Sequence, residues 1–566
     1  MSNETFLGPA SALRTTRFAK GTRALSLAAL LVLCGASSLA HAADYYVALL
    51  GSDGAPGTLA EPFRTIRKGI SVAQPGDTVW VRAGIYRGYE NQINPIRSGR
   101  ADAFITIRAY SGELPILEPT SEIAEGSAFE PLPASANFVP ENRPVQFIRI
   151  DGFAARNWPS TGFSSGYVDG STQAGAQNIE IANCIAEGNG LSGIAMYYSS
   201  GFLIEHNIVG HNGNRPPSWS SGVNLFTVQG AAANNIVRGN VSFENIDVCG
   251  DPAAGVCNAA RSTDGNGFIM DENSVGALFE NNLAFRNGGS CLRLTRSSNA
   301  QLVNNTCFSN GLDTGYSPAF TPDEIFFSDQ ASRTGVVMRN NVVVPTGRAV
   351  TNLTGFEGMN VFNGAQDLFR AATGARLDLR PVASAATIIN RATGGSPATD
   401  LGFDPACLKQ VSNQPVAFWQ YAPDYAYIAS SGGIAACFRP AARAAGASEM
   451  GAYELPPAGC VFSADCSDGN ACTADSCNAG QCANPATASC CTSDTACDDG
   501  NPCTSDRCDT AARVCEHRTV SSCCVADSAC NDNNACSADT CDPTNHLCAH
   551  AAISGCTASP PPVCMP

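Results

Sequence analysis

The sequence predicts an all-β fold whose main part is a parallel solenoid of short strands. A stretch of the form apolar-x-x-Asn-x-x-x-x-Asn returns between about residue 178 and residue 350, and its closest copies lie 23–24 residues apart. A fixed period of this length indicates stacked coils rather than a globule. Within each coil, apolar residues alternate with polar or small ones, which is the period of a β-strand.

Four copies of the repeat are well preserved: LIEHNIVGHN (203–212), IVRGNVSFEN (236–245), LFENNLAFRN (278–287) and LVNNTCFSN (302–310). Asparagine suits the corner of a coil because it tolerates left-handed backbone angles and because its amide can bond the backbone of the next coil. We therefore interpret the repeated asparagines as structural ladders rather than as catalytic groups.

The coils are preceded by a distinctive opening, residues 45–88, which read YYVALLGSDGAPGTLAEPFRTIRKGISVAQPGDTVWVRAGIYRG. Together with the Asn-rich coils, this opening resembles the right-handed parallel β-helix proteins of the pectate-lyase-like group over roughly residues 44–453. The resemblance implies a first strand, a capping helix over residues 63–73 and a first full coil. It also implies a closing strand at SEMGAYE (448–454). Capping would protect an open strand edge from aggregation.

The N-terminal 42 residues have the features of a secretory signal. Four basic residues precede an apolar run that begins near Ala24, and Ala40-His41-Ala42 is a small-x-small cleavage site. No later apolar run is long enough to cross a bilayer. We therefore predict a secreted protein without membrane insertion, with residues 1–42 as signal peptide and residues 43–454 as the β-helix.

Residues 455–566 form a separate, cysteine-rich region. Nineteen of the 27 cysteines lie here, and they recur as three repeats of six at 460–490, 491–523 and 524–556. This usage predicts disulfide-stapled modules rather than zinc sites, but six cysteines allow 15 connectivities. The spacing resembles cysteine-rich extracellular-matrix repeats, which implies protein or matrix contacts through this region.

The charge balance argues against nucleic acid as a partner. The chain carries a net charge of −16, and 14 acidic against three basic residues from Glu454 onward give −11 of it. Nucleic-acid binding needs a basic face. Acidic pairs recur at matched places in the repeats, for example Asp499 and Asp506. They form either calcium ligands or a solvated acidic surface.

A candidate site follows from insertions that fall at one place in the coil. Extra residues come after the second Asn of three coils, at about 213–221, 246–263 and 311–322. Stacked insertions would form one wall of a groove. Trp219 lies on the first insertion, where an exposed aromatic ring suits either sugar stacking or anchoring of the loop.

Aligning the strands that follow these insertions places their outward-facing residues in two columns, with Asn224 and Arg293 in the first. The second column and the corner beyond it hold Tyr197, Tyr198, Asp271, Glu272, Arg296 and Asp329, with Asp264 at the edge. We predict catalytic roles for Arg293, Arg296 and Asp271. We predict substrate binding by Tyr197, Tyr198, Asn224 and Trp219. The candidate metal ligands are Asp264, Asp271, Glu272 and Asp329, with calcium as the candidate ion.

Two chemistries and one non-catalytic role fit this cluster. Calcium-assisted β-elimination of an acidic polysaccharide needs a basic residue as proton acceptor, whereas hydrolysis needs paired carboxylates. After residue 42 the only lysines are Lys68 and Lys409, so an arginine would have to accept the proton. The alternative is an adhesive or glycan-binding protein in which arginines and acids merely neutralise each other.

Residues 355–452 lose the Asn repeat. We expect this segment to complete the last coils irregularly, with Cys407 and Cys437 placed to clip it.

Overall fold

A computed structural model describes residues 42–556, except for 132–143, 167–174, 216–218, 248–263, 313–322, 330, 346–359, 411–424 and shorter stretches between 363 and 512. Three parallel sheets run the length of a β-helix in the described part, which confirms the predicted fold class. One α-helix, Ile66–Val72, is present in the same part. No helix among the described residues is long and apolar enough to span a membrane.

Sheet 1 has ten strands: Asp44–Val47, Thr78–Val81, Ile105–Ala109, Gln146–Asp151, Gln177–Ala182, Leu203–Glu205, Ile236–Arg238, Leu278–Glu280, Gln301–Val303 and Val337–Arg339. Sheet 2 has nine: Gly84–Arg87, Pro115–Glu118, Ala154–Arg156, Ile185–Glu187, Ile208–Gly210, Val241–Phe243, Leu283–Phe285, Thr306–Phe308 and Val342–Val344. Sheet 3 has six: Phe163–Ser164, Ile194–Tyr197, Val223–Phe226, Phe268–Asp271, Leu292–Leu294 and Ile325–Phe327. Each coil contributes neighbouring strands to these sheets, and the inward residues of all three form one continuous core.

The repeated asparagines form two ladders inside the corners, as predicted. One ladder joins Asn207, Asn240, Asn282, Asn305, Asn341 and Asn360, and each side-chain amide donates to the carboxamide oxygen of the next at 2.7–3.0 Å. The second runs from Asn189 through Asn212, Asn245 and Asn287 to Asn310. The left-handed angles, however, fall one residue earlier, for example at His206 and Asn281, because the ladder asparagine itself turns inward.

The second ladder ends on an unpredicted carboxyl group. The backbone N–H and the side-chain amide of Asn310 donate to the two oxygens of Glu324, both at 2.7 Å. Burial raises the pKa of Glu324 to about 8. Glu324 therefore supplies at this coil the acceptors that an asparagine supplies on the others.

The helix begins three residues later than predicted. Phe63 forms a β-bridge with Val47 instead, and the Thr65 hydroxyl accepts from the Lys68 N–H as the N-cap. Asp53 fixes this cap by accepting from the backbone N–H and the hydroxyl of Thr65 at 2.9 and 2.8 Å. Ile66 and Ile70 are buried in the core. That the helix caps the solenoid stays a prediction.

The segment without the repeat continues the last coil only at its start, where Val361 forms a parallel bridge with Val342 and Asn360 ends the first ladder. Its apolar residues, such as Phe403 and Phe438, pack in a second core on outward-facing residues of sheet 2, including Ile208 and Phe285. The predicted Cys407–Cys437 disulfide is present. Two short antiparallel pairs lie here, Phe369–Ala371 with Asp378–Pro381 and Leu408–Gln410 with Tyr425–Tyr427.

The predicted closing strand at 448–454 is absent from its described residues, 449–453. These residues contact the last coils without forming a ladder: the Ala452 N–H donates to the Thr306 hydroxyl at 2.9 Å, and the Asn304 amide donates to the Glu449 carbonyl at 3.2 Å. Isolated backbone and side-chain hydrogen bonds, including one from the Gly451 N–H to the Asn340 carbonyl at 2.7 Å, therefore take the place of a strand ladder at this position.

The C-terminal repeats are disulfide-bonded, with one connectivity throughout. The first cysteine pairs with the fourth, the second with the fifth and the third with the sixth in every copy. Each copy adds one antiparallel pair: Ser476–Asn478 with Gln481–Ala483, Thr504–Asp509 with Val514–Thr519, and Ser537–Cys541 with Cys548–Ala552. The many disulfides are consistent with an oxidising, extracellular setting.

Short 3-10 turns complete the described elements. They are Tyr89–Asn91, Ala232–Asn234, Ala331–Arg333, Gln366–Leu368, Pro405–Cys407, Ile434–Cys437, Ser463–Cys466, Asp494–Ala496 and Asp527–Cys530.

Candidate functional site

The strand register places the predicted site residues on the outer face of sheet 3. Val223 pairs with Phe268 and Phe268 with Leu292, so the residues that follow them, Asn224, Ile269 and Arg293, form one outward row. Asp271 ends its strand two residues further on. The period-two alternation of the strands thus brings Asn224, Asp271 and Arg293 onto one face.

Arg293 is the centre of this face. Its side chain is buried, with a residue exposure of 8%; its Nε donates to the Thr295 hydroxyl at 2.9 Å, and its guanidinium carbon lies 5.2 Å from the centre of the Phe326 ring. Burial lowers the pKa of Arg293, although the charges of Asp264, Asp271 and Asp247 oppose this shift. A desolvated arginine among carboxyl groups is therefore the main electrostatic feature of sheet 3.

Burial in the same recess shifts the pKa values of the carboxyl groups around Arg293. Burial raises the pKa of Asp264 to about 8; Arg293 opposes the shift, and the charges of Asp247 and Asp271 add to it. Burial also raises the pKa of Asp271 to about 6, against the charges of Arg293 and Arg296. Two acids on one face are thus held at different pKa values, which is the arrangement that acid–base chemistry requires.

Glu272 and Arg296 lie at the corner where sheet 3 ends. Tyr198, Thr227, Glu272 and Arg296 occupy this corner on successive coils, all with left-handed backbone angles. The guanidinium of Arg296 forms an ion pair with Glu272, and its side chain is 58% exposed. This pair sits at the solvent-facing edge, so the screening of its charges by water is stronger than in the recess of Arg293.

The predicted aromatic residues flank the same edge. The rings of Tyr197 and Tyr198 lie 5.9 and 5.8 Å from Phe226, whose strand position pairs with Asp271. Trp219 is 66% exposed on its loop. Phe226 therefore links the two tyrosines to the acidic coil, whereas Trp219 offers a free ring surface to solvent.

The side chain of Asn224 contains a buried hydrogen-bond acceptor for which the described residues supply no donor. Its side chain is buried, with a residue exposure of 5%, and its carboxamide oxygen has no hydrogen-bond partner in the described part of the chain. A buried acceptor without a donor costs free energy unless a ligand satisfies it.

Asp329 does not join the cluster in an equivalent way. It is exposed, and its carboxylate accepts from the backbone N–H and hydroxyl of Ser332 at 2.7 and 2.8 Å, which caps the turn Ala331–Arg333. This role explains an aspartate at that position without a metal ion, so its assignment as a ligand stays a prediction.

Sequence reasoning missed Asp247 and Phe326. Asp247 is buried and its charge acts on both Arg293 and Asp264. It stands two residues after the ladder residue Asn245, where the sequence suggested only the start of an insertion. Most of that insertion (248–263) and the third one (313–322) lie outside the described residues, so the predicted wall of the groove stays a prediction.

Lysines do not contribute to this face. Lys68 belongs to the N-terminal helix, with its Nζ 5.5 Å from the centre of the Phe63 ring, and Lys409 belongs to the strand Leu408–Gln410.

In the second and third C-terminal repeats, an aspartate of each pair contacts a histidine, whereas Asp468 and Asp475 of the first repeat accept from the Thr473 hydroxyl. Asp506 Oδ1 lies 2.8 Å from His517 Nδ1, and Asp539 Oδ1 lies 2.8 Å from His550 Nδ1. These ion pairs account for both positions without an ion, so calcium binding by the repeats also stays a prediction.

Comparison with known proteins agrees with the observed fold. Residues 45–258 match the family model described as the Pel9A-like right-handed β-helix region. The pectate lyase PEL9 of Emericella nidulans is 40% identical over 77 residues, which cover 14% of this chain and 18% of that relative. The chain therefore spans less than a fifth of the length of this curated relative.

Two solved structures are matched at low sequence identity. The crystal structure of pectate lyase Pel9A is matched with a TM-score of 0.44 and 15% identity, covering 73% of this chain and 96% of that one. A rhamnogalacturonan lyase is matched with a TM-score of 0.31 and 15% identity, covering 58% and 91%. The parallel sheets show a parallel β-helix, residues 45–258 of this chain match the Pel9A-like right-handed β-helix family model, and a disulfide-rich C-terminal region follows.

Proposed function

We propose that this protein is secreted and cleaves an acidic polysaccharide by β-elimination at the outer face of sheet 3. The observation that carries the proposal is the buried Arg293 beside Asp264 and Asp271, whose pKa values differ. The pectate lyases among its relatives support the reaction class. Burial favours the neutral form of an arginine, and a neutral guanidine is the form that accepts a proton.

The proposed elimination moves one proton from the sugar to Arg293 and one to the leaving oxygen. Arg293 accepts the proton from the carbon next to the uronate carboxylate, the bond from the neighbouring sugar carbon to the glycosidic oxygen breaks, and a carbon–carbon double bond forms between the two carbons. The leaving oxygen takes a proton from Asp271, whose pKa is about 6, or from water where Asp271 binds calcium. Arg296 lies at the open edge and would bind a substrate carboxylate. Tyr197, Tyr198, Asn224 and Trp219 would contact the sugar rings.

Calcium fits the donor set in chemistry. The charges of Asp247, Asp264 and Asp271 act on Arg293, and those of Asp247 and Asp271 also act on Asp264. A bound cation would offset the cost of desolvating the carboxylates, which raises the pKa of Asp264 and Asp271. Bound there, calcium would supply positive charge to the uronate carboxylate. Glu272 and Asp329 are already engaged with Arg296 and Ser332, so they are weaker candidates.

Ultraviolet absorbance of the unsaturated uronate product tests the reaction. We expect product from one acidic glycan in a panel of pectins, alginates and glycosaminoglycans, with and without calcium. Arg293→Ala should lower kcat by about 10²-fold or more, the usual contribution of a general base. Arg149→Ala, which removes a half-buried arginine paired with Glu180 on sheet 1, is the matched control and should leave kcat unchanged.

Two alternative functions predict different results. New reducing ends without ultraviolet absorbance would indicate hydrolysis, for which the unequal pKa values of Asp264 and Asp271 also provide an acid and a base. Glycan binding without any cleavage would indicate an adhesive protein. Either result, or full activity of Arg293→Ala, would refute the elimination mechanism.

A further inference from the structure

The outer face of sheet 3 extends toward the N-terminal coils beyond its last strand. Isolated parallel bridges join Ile93 to Phe129 and Phe129 to Phe163, so two further coils continue the sheet. The residues that follow Phe129 and Phe163 are Glu130 and Ser164. Alternation therefore places Glu130 in the same outward row as Ser164.

This row connects Glu130 with the site described above. Ser164 pairs with Ala195, Ala195 with Asn224, Asn224 with Ile269, and Ile269 with Arg293. Neighbouring coils are about 4.8 Å apart, so Glu130 lies about 14 Å from Asn224 and about 24 Å from Arg293 along the solenoid. A polysaccharide that lies along this face and reaches Arg293 would extend past Asn224 toward Glu130.

Glu130 itself is a half-buried carboxyl group without a cation. Its Oε2 accepts from the Ser127 N–H at 3.3 Å, and its side chain has no other hydrogen bond or ion pair within the described ranges. Burial raises the pKa of Glu130 to about 7, and the Ser127 hydrogen bond opposes that shift. A carboxyl group that no cation among the described residues neutralises, in a row of site residues, is available to a ligand.

The charged groups around Glu130 do not neutralise it. Glu122 and Glu125 are exposed on the same segment. Arg215 reaches this segment but donates to the carbonyl groups of Ala124 and Pro159, at 3.1 and 3.4 Å. None of these three side chains contributes to the pKa shift of Glu130.

Amide groups on either side complete the row. Asn94 and Gln92 are buried beside Glu130, and their side-chain amides lie 3.1 Å apart. On the other side, Asn224 has a buried carboxamide oxygen without a partner. Carboxyl and amide groups of this kind bind sugar hydroxyls, and the unpartnered oxygen of Asn224 is an independent sign that a donor is missing there.

We propose that Asn224 and Glu130 form a distal glycan-binding segment, and that Glu130 makes its end selective for an uncharged sugar residue, either neutral or esterified. This inference rests on the proposed function, because it assumes an acidic polysaccharide along sheet 3. An ionised Glu130 repels a uronate carboxylate, and no cation in the described part of the chain offsets the repulsion. An esterified uronate carries no such charge, and its hydroxyl groups can bond to Glu130.

The test compares Glu130→Gln with the full-length protein on pectins of low and high methyl esterification, near pH 6 and pH 8. For the parent protein, KM for the low-ester pectin relative to the high-ester pectin should rise about three- to tenfold from pH 6 to pH 8, the range of one moderate charge–charge interaction. Glu130→Gln should make this rise smaller, because only the contribution of Asp264 and Asp271, which titrate in the same pH range, remains. Because the distal segment lies far from Arg293, kcat should stay unchanged.

Glu125→Gln, an exposed carboxyl on the same segment, is the matched control and should behave like the parent protein. Circular dichroism establishes that each variant is folded. A ratio in Glu130→Gln that rises with pH as much as in the parent protein would overturn the inference.

Affinity electrophoresis on the same two pectins separates this inference from the proposed function. If no lyase product forms with any uronate, the elimination mechanism fails, and the pH-dependent preference must then appear in the affinities themselves. Equal affinities of parent protein and Glu130→Gln for both pectins at both pH values would refute the distal segment, whatever the reaction proves to be.

Discussion

Replacing Asn282 by alanine should strongly destabilise the β-helix, because this residue holds three successive coils together. Its side-chain amide donates to the Val237 carbonyl at 2.8 Å and to the Asn305 carboxamide at 3.0 Å. Its oxygen accepts from the backbone N–H and the side-chain amide of Asn240, both at 3.0 Å. Asn282 is 1% exposed, so water cannot replace these partners.

The magnitude follows from the groups left behind. Four hydrogen bonds at about 1 kcal/mol each are lost, and the buried N–H of Asn240 remains without an acceptor. We expect the free energy of unfolding to fall by about 3–5 kcal/mol. This is a large fraction of a typical domain stability of about 5–15 kcal/mol.

Urea unfolding followed by far-ultraviolet circular dichroism measures the change. Asn214→Ala is the control: Asn214 is exposed and makes one side-chain hydrogen bond, to the Gly188 carbonyl at 2.8 Å, so its loss should cost about 1 kcal/mol or less. A loss for Asn282→Ala that is no larger than the control would refute the idea that the ladder stabilises the solenoid.

Two further predictions concern stability. Removing the Cys407–Cys437 disulfide with a double alanine variant should lower the free energy of unfolding by about 3–4 kcal/mol from the entropy of a loop of this length, and an unchanged thermal midpoint would contradict this. Glu324 has a folded-state pKa of about 8 against an ordinary value of 4.5, so the folded protein binds the proton more tightly. Its stabilising contribution is complete below about pH 4.5 and is lost as pH rises through about 8. Urea titrations across this window should show a steeper loss for the parent protein than for Glu324→Gln, and parallel curves would exclude the effect.

The arrangement of sheet 3 was predictable because strand alternation is a local property. Once the apolar pairs of each strand were aligned, Asn224 and Arg293 had to share a row, and Asp271 had to lie beyond it. The observed register agrees with this alignment. The corner position of Glu272 and Arg296 followed in the same way.

Features that depend on contacts between distant segments were not predictable. The Cys291–Cys307 disulfide joins sheet 3 to sheet 2, and nothing in the spacing of these cysteines singled them out. Asp247 entered the site because the chain turns back toward Arg293 after the ladder. For Asp329, in contrast, a local contact decides the role. Its place in the column suggested a metal ligand, but its carboxylate accepts from the Ser332 N–H and caps a turn.

The sequence by itself determined the parallel solenoid, its asparagine ladders, the disulfide-stapled repeats and the face that carries Arg293, because each depends on a short period that repeats along the chain. Only the tertiary structure decided where the described residues between 368 and 453 lie. Their apolar residues have no period, and they find burial on the outer face of sheet 2, which the repeats leave apolar. The structure likewise decided which acids surround Arg293 and which remain in solvent, because desolvation depends on every segment packed around a group.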